Sequence, residues 1–264
     1  MTVTFTILGT GAGPGVPSYF CDCPACLEAR ANSALVRTRS GAVIRTGGEN
    51  ILIDASPDLR TQLVRENISS LACVFLTHWH YDHFGGLGDL EFFVRLKRME
   101  PLKLFLPSEA LVEFEAAYPF LSDVLEVTAW QFGQEYRFND FLLTLYPARH
   151  SVPTAGLFLK AEQSGKTLAY FPDTAGLPEI TQEKVRQADY FICDATFHGA
   201  NWYPHSHMTF EEAIRLGEEV QARKTILTHL AMHYSTPVTV RELQEKLLDY
   251  PQVSLAYDGM TINL

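Results

Sequence analysis

The stretch "LACVFLTHWHYDH", Leu71–His83, decides how this chain folds. Its first half, Ala72–Thr77, is a short apolar run of strand formers and reads as a buried β-strand. The second half places His78, His80, Asp82 and His83 within six residues, directly after that strand. A helix would spread this spacing around its axis, whereas a loop at a strand end can turn all the side chains inward. Imidazole and carboxylate together suit Zn, Mn or Fe ions, so the stretch predicts a metal centre at a sheet edge.

Working outward, the same arrangement recurs. His150 follows "LLTLYPAR", Asp173 closes "KTLAYFPD", His229 follows "KTILT" and Asp54 follows "NILI". Strands are also expected at "TVTFTIL", "GAVIRT", "LKLFL", "DVLEVTAW", "EYRF", "GLFLKA", "YFICDA" and "TINL". Helices are expected at "GLGDLEFFVRLKRM", at "PSEALVEFEAAY" with Ser108 as N-cap, at "TFEEAIRLGEEVQA" with Thr209 as N-cap, and at "RELQEKLL". This order fits an α/β (α+β) chain of two antiparallel or mixed sheets with helices outside. No Pro/Gly/Ser linker interrupts it, so residues 1–264 are expected to form a single domain. The segment 11–40 lacks clear periodicity and is expected to be a loop insertion.

That segment contains "CDCPACLEAR", with Cys21, Cys23 and Cys26, in a chain whose other cysteines, Cys73 and Cys193, lie in apolar strand runs and read as core. The cluster is open to three readings: a disulfide, a reactive thiol pair, or a metal site lacking a fourth ligand. The opening residues show no basic leader and no stretch is apolar enough to span a membrane, which gives a cytoplasmic expectation. Reduced thiols in that compartment favour metal over disulfides. A formal net charge of −10 repels polyanions and argues against an extended nucleic-acid surface. "GTGAGPG" lacks the lysine and following helix of a phosphate loop, so its glycines are read as meeting backbone needs beside the metal site.

HxHxDH followed in order by a lone His, a lone Asp and a late His resembles the metallo-β-lactamase superfamily over nearly the whole chain. The resemblance implies an αββα sandwich with two divalent metals, Mn or Zn. His78, His80 and His150 would hold one, Asp82, His83 and His229 the other, and Asp173 would bridge them. Asp54 matches the carboxylate that orients a ligand histidine.

"GTGAGPGVPSYFCDCPACLEAR", "PDTAGLP" and "ILTH" are similar to PhnP-type phosphodiesterases, the group that hydrolyses 5-phosphoribosyl 1,2-cyclic phosphate in phosphonate metabolism. That resemblance implies a structural zinc held by Cys21, Cys23, Cys26 and a histidine just after the last active-site one, here His233. The family spacing is three residues after that histidine, and His233 stands four after His229. His207, before the helix start "MTFEEA", matches the general-acid position, with His205 as the competing candidate, and His198 reads as filling space. Catalysis is then assigned to His207, Asp82 and Asp173, with a small cyclic phosphodiester as partner, a hydroxide shared by the metals as nucleophile, and a homodimer allowed. The alternatives are a lactone or thioester hydrolase of the same superfamily, a transfer-RNA 3′-processing nuclease, disfavoured by the net charge, and a PqqB-like non-hydrolytic protein, suggested by "ASPDLRTQL".

Overall fold

The computed structural model describes residues 2–234 and 236–264. It contains two seven-stranded mixed sheets. The first holds β1 (Thr4–Gly9), β2 (Gly41–Thr46), β3 (Glu49–Ile53), β4 (Cys73–Phe75), β5 (Leu102–Leu106) and β6 (Leu125–Ala129), with β14 (Thr261–Asn263) returning beside β1. The second holds β7 (Glu135–Arg137), β8 (Phe141–Ala148), β9 (Thr154–Ala161), β10 (Thr167–Phe171), β11 (Tyr190–Asp194), β12 (Thr225–Thr228) and β13 (Val253–Leu255), in sequential order.

Strand alternation builds the layers. Along β10, Leu168 and Tyr170 face the other sheet while Ala169 and Phe171 face outward, and both sets are buried. Between the sheets, Phe5, Ile44 and Phe75 meet Phe141, Leu157 and Ile192. Outside the first sheet, Val43, Leu52 and Val74 pack on α2 (Leu59–Arg65) and on Leu87, Leu90 and Phe114. Outside the second, Phe191 and Leu227 pack on α7 (Phe210–Glu219), α8 (Val240–Lys246) and α1 (Pro24–Ala31). The architecture is the αββα sandwich, with two mixed sheets and helices outside. No helix among the described residues is long and apolar enough to cross a membrane.

The structure differs from the sequence reading in local places. The segment 11–40 is not all loop, since Pro24 starts the eight-residue α1, whose Ala25, Cys26 and Ala29 are buried. Proline at the first helical position suits an N-terminus, but two turns are too short to display a period. The expected helix over "GLGDLEFFVRLKRM" is broken into a 3₁₀ turn Leu87–Asp89, the short α4 (Leu90–Phe93) and a π turn Val94–Arg98. Ser108 does not cap a helix. It opens a 3₁₀ turn after Pro107, its Oγ bonds Glu109, and α5 (Leu111–Ala117) begins later. Thr209 does cap α7, through a capping box with Glu212, and Thr239 does the same for α8 with Glu242.

Candidate metal centre

Each candidate side chain leaves the carboxyl end of a strand. In the first sheet β3 leads to Asp54, and β4 leads through Leu76 and Thr77 into His78, His80 and the one-turn α3 (Tyr81–Phe84), which carries Asp82 and His83. In the second, β8 leads to His150, while the neighbouring parallel strands β10, β11 and β12 lead to Asp173, Asp194 and His229. Parallel pairing delivers three consecutive strand ends to one rim, where α/β sheets build their sites.

Two donor sets result. His78, His80, His150 and Asp173 each offer a ligand atom within 4.8 Å of the others, and so do Asp82, His83, Asp173 and His229. Asp173 belongs to both, its Oδ2 standing 3.2 Å from His78 Nε2, 3.4 Å from His83 Nε2 and 3.7 Å from His229 Nε2. His80 Nδ1 is 3.0 Å from both His78 Nε2 and His150 Nε2. Nitrogens sharing one tetrahedral ion at 2.0–2.1 Å stand about 3.3 Å apart, close to this convergence.

Buried polar atoms test whether an ion fits. His83 Nε2 and His229 Nε2 are buried with no hydrogen-bond partner, a costly state that a cation resolves. Their other nitrogens are engaged: His83 Nδ1 donates to Asp54 Oδ2 at 2.7 Å, and His229 Nδ1 meets Thr196 Oγ1 at 2.8 Å. Asp54 is itself held by the Thr77 backbone N–H at 2.7 Å. Each orphan nitrogen is therefore aimed by a fixed partner behind it, as metal-ligating histidines are. The cluster is compatible with divalent metal. Asp54 and His229 also adopt left-handed backbone, at φ 62° and 57°, a conformation uncommon outside glycine and concentrated at functional sites.

The electrostatics follow from burial and neighbours. Burial, with the adjacent His83 and His150 rings, brings His78 down to about 3. Burial opposes ionisation of Asp173, but His229, His207 and His150 outweigh it and hold that carboxyl well below its usual range. At His207 burial is again outweighed, here by Asp173 and Asp194, which push it up to about 11.

His207 lines a cavity of about 150 Å³ together with His80, Asp82, Asp173 and His229. Its Nδ1 donates to Asp194 Oδ2 at 2.9 Å; Asp173 Oδ1 lies equally near but without the alignment of a hydrogen bond. His205 is exposed. The turn explains the choice, because the Ser206 and His207 N–H groups both donate to Tyr203 O and swing residue 207 inward. His198 lies outside, bonded to Thr236 O and Lys246. Gly13 also lines the cavity, and a Cβ there would stand 3.5 Å from Asp82 Oδ2. Asp194 was not singled out from the sequence, though "YFICD" has the same strand-then-acid form as "AYFPD". Its oxygens accept from Thr196 N, Met208 N and His207 Nδ1, and it joins Asp173, His207 and His229 in a further cluster.

The cysteine loop converges as well. Cys21 and Cys23 precede α1 and Cys26 lies in its first turn, so their Sγ atoms fall within 4.8 Å of one another. Burial pushes the Cys26 thiol up to about 12, so three thiolates would need a cation between them. His233 does not join this set at that distance, although its Nδ1 is buried without a partner. Leu230 and Met232 nevertheless pack in one apolar cluster with the three cysteines. Cys73 and Cys193 are buried core residues.

Two mixed sheets with helices outside and histidine–aspartate donor sets at one rim define a metallo-β-lactamase fold. Residues 49–230 match the family described as Beta-lactamase superfamily domain, and the chain belongs to that family. Among individual proteins it is similar to Coenzyme PQQ synthesis protein B of Methylobacterium sp. (strain 4-46), at 28% identity over 98% of this chain and 99% of that one. Its fold is shared with a diphosphatase of the PhnP family, at TM-score 0.85 and 23% identity, covering 100% of this chain and 98% of the other. It is also shared with Zn²⁺-bound PqqB from Methylobacterium extorquens, at TM-score 0.81 and 22% identity over 99% and 100% of the two chains.

Proposed function

We propose that this chain is a metal-dependent hydrolase of a small phosphodiester. The observation that carries the reading is His207, backed by Asp194 and lining the same cavity as the two donor sets. Residues His78, His80, His150 and Asp173 would hold one divalent ion, and Asp82, His83, His229 and Asp173 a second; Cys21, Cys23 and Cys26 would hold a structural zinc. Ions so placed supply Lewis-acid neutralisation of phosphoryl charge and lower the pKa of bound water.

The chain's own residues do the rest. Asp54 and Thr196 hold the His83 and His229 rings in one orientation. Asp194 accepts the Nδ1 proton of His207, so Nε2 is the nitrogen left to give a proton to the departing oxygen. That step matters for an alkoxide, a poor leaving group, and much less for p-nitrophenolate. A thioester hydrolase, which expels a readily leaving thiolate, has less need of such an acid, which favours the diester over that alternative.

The likeness to Coenzyme PQQ synthesis protein B supports a second reading, a role in making that cofactor without diester hydrolysis. Turnover decides between them. On an alkyl phosphodiester, His207→Ala should lose about 10²–10⁴-fold, with a much smaller loss on a p-nitrophenyl ester and unchanged metal content. Absence of turnover of either diester by the metal-loaded chain would sink the hydrolase reading.

A further inference from the structure

The cavity that holds the donor sets is unusual in its remaining wall. Among the described residues it is completed by Ala12, Gly13, Thr196, Phe197, Tyr203 and Tyr234, with no lysine and no arginine. A phosphomonoester brings roughly −1.5 to −2 charges at neutral pH and needs cations or backbone donors of its own. Two arginines line a separate cavity beside Pro14–Ser18, but both are engaged. Arg37 donates to Thr10 Oγ1 at 2.8 Å and Ala256 O at 2.7 Å, and Arg39 makes a two-pronged pair with Asp58 at 2.8 and 2.7 Å.

Size narrows the substrate further. About 150 Å³ accommodates a phosphodiester centre and little else, against roughly 300–1,000 Å³ for sites that enclose a small molecule. The rest of the substrate must lie on the rim, and the rim is aromatic. Tyr203 is 60% exposed and Trp202 54%. The Trp202 ring lies 4.9 Å from Tyr234, which in turn stands 5.5 Å from Phe197. This shelf is tied to the acid, since Asn201 accepts from Tyr203 N with Oδ1 and donates to His207 O with Nδ2.

We infer that the site selects a singly charged phosphodiester flanked by a neutral planar ring, as in a cyclic nucleotide, over a cyclic sugar phosphate bearing a second phosphate, with Tyr203 as the specificity residue. The inference rests on the phosphodiesterase reading. Stacking on an aromatic side chain contributes about 1–3 kcal/mol per base, roughly five- to hundredfold in affinity.

The test compares kcat/KM for 2′,3′-cyclic AMP and for 5-phosphoribosyl 1,2-cyclic phosphate, with methyl p-nitrophenyl phosphate gauging diester chemistry alone. Preference for the nucleotide is expected. Tyr203→Ala should shrink it five- to hundredfold through KM, and Tyr203→Phe should keep it; the exposed side chain makes misfolding no obstacle. Equal or better turnover of the doubly phosphorylated sugar, or a ratio untouched by Tyr203→Ala, overturns the inference. If methyl p-nitrophenyl phosphate is not hydrolysed, the underlying reading has failed. The shelf is then judged by calorimetric binding of a cyclic-nucleotide phosphorothioate, which should weaken five- to hundredfold in Tyr203→Ala and whose indifference to that change overturns it.

Discussion

Asp194→Asn removes one charge and one acceptor, and the hydrogen bonds around it decide where the amide goes. Oδ1 accepts two backbone N–H groups, from Thr196 at 2.9 Å and Met208 at 3.0 Å, so the asparagine oxygen must occupy that place. Its NH₂ then takes the position of Oδ2, facing His207 Nδ1 at 2.9 Å and Thr196 Oγ1 at 3.0 Å. A donor there forces Nδ1 to accept, which leaves a neutral ring with its proton on Nε2, a very weak acid. Losing a charge-assisted hydrogen bond costs about 1.5–3 kcal/mol, or roughly 10- to 150-fold in the protonation equilibrium of the ring. The ceiling is the whole contribution of general acid catalysis, about 10²–10⁴-fold. Single-turnover rates on an alkyl and a p-nitrophenyl diester, at matched metal content, measure this. The alkyl ester should slow by 10-fold or more, and the p-nitrophenyl ester far less. Equal slowing of both, or none, refutes the pairing of Asp194 with a proton-donating His207.

Asp54→Asn keeps a residue tolerant of the left-handed backbone but weakens the 2.7 Å bond that aims His83, so ion affinity should fall about 10–100-fold in competition with a chromophoric chelator. Cys23→Ser should remove one tightly held zinc per chain by elemental analysis and lower the melting temperature while p-nitrophenyl ester turnover persists, because zinc-binding energy is folding energy where ligands meet only in the folded state. Gly156→Ala would place a Cβ 2.0 Å from the ring of the fully buried Phe171, and overpacking of this kind costs about 1–3 kcal/mol, which urea denaturation would register as a lower midpoint.

The rim was legible in the sequence because its signals are local: an apolar strand ending in His or Asp names itself at β4, β8, β10 and β12. Asp194 escaped that logic. An acid at the end of a strand is common on surfaces, and only the parallel neighbour carrying His229 makes this one part of the site. Motif register in "PHSHMTF" favours His207 over His205 without giving a physical reason; the carbonyl of Tyr203, by gathering two N–H groups, shapes the turn that carries the His207 ring to the cavity. Sheet order was likewise hidden, because pairing across hundreds of residues leaves no periodic mark. Short elements such as α1 and the π turn fall below the length at which a hydrophobic period shows.

The return of β14 to the edge of β1 has a consequence for assembly. Thr4 pairs with Asn263, so the first sheet gains this outer strand only after all the residues between them have been made. On a ribosome, the amino-terminal strands emerge first and must wait with an open β1 edge, a template for mispairing until β14 arrives. His229 also comes after most of the strands, so the donor set of Asp82, His83, Asp173 and His229 waits for it, whereas the set of His78, His80, His150 and Asp173 is complete some fifty residues earlier, at Asp173. Closure of the first sheet and completion of the second donor set thus both wait for residues beyond β11. Contacts of such sequence separation make for slow folding, which gives chaperones and ion supply time to act on the finished chain.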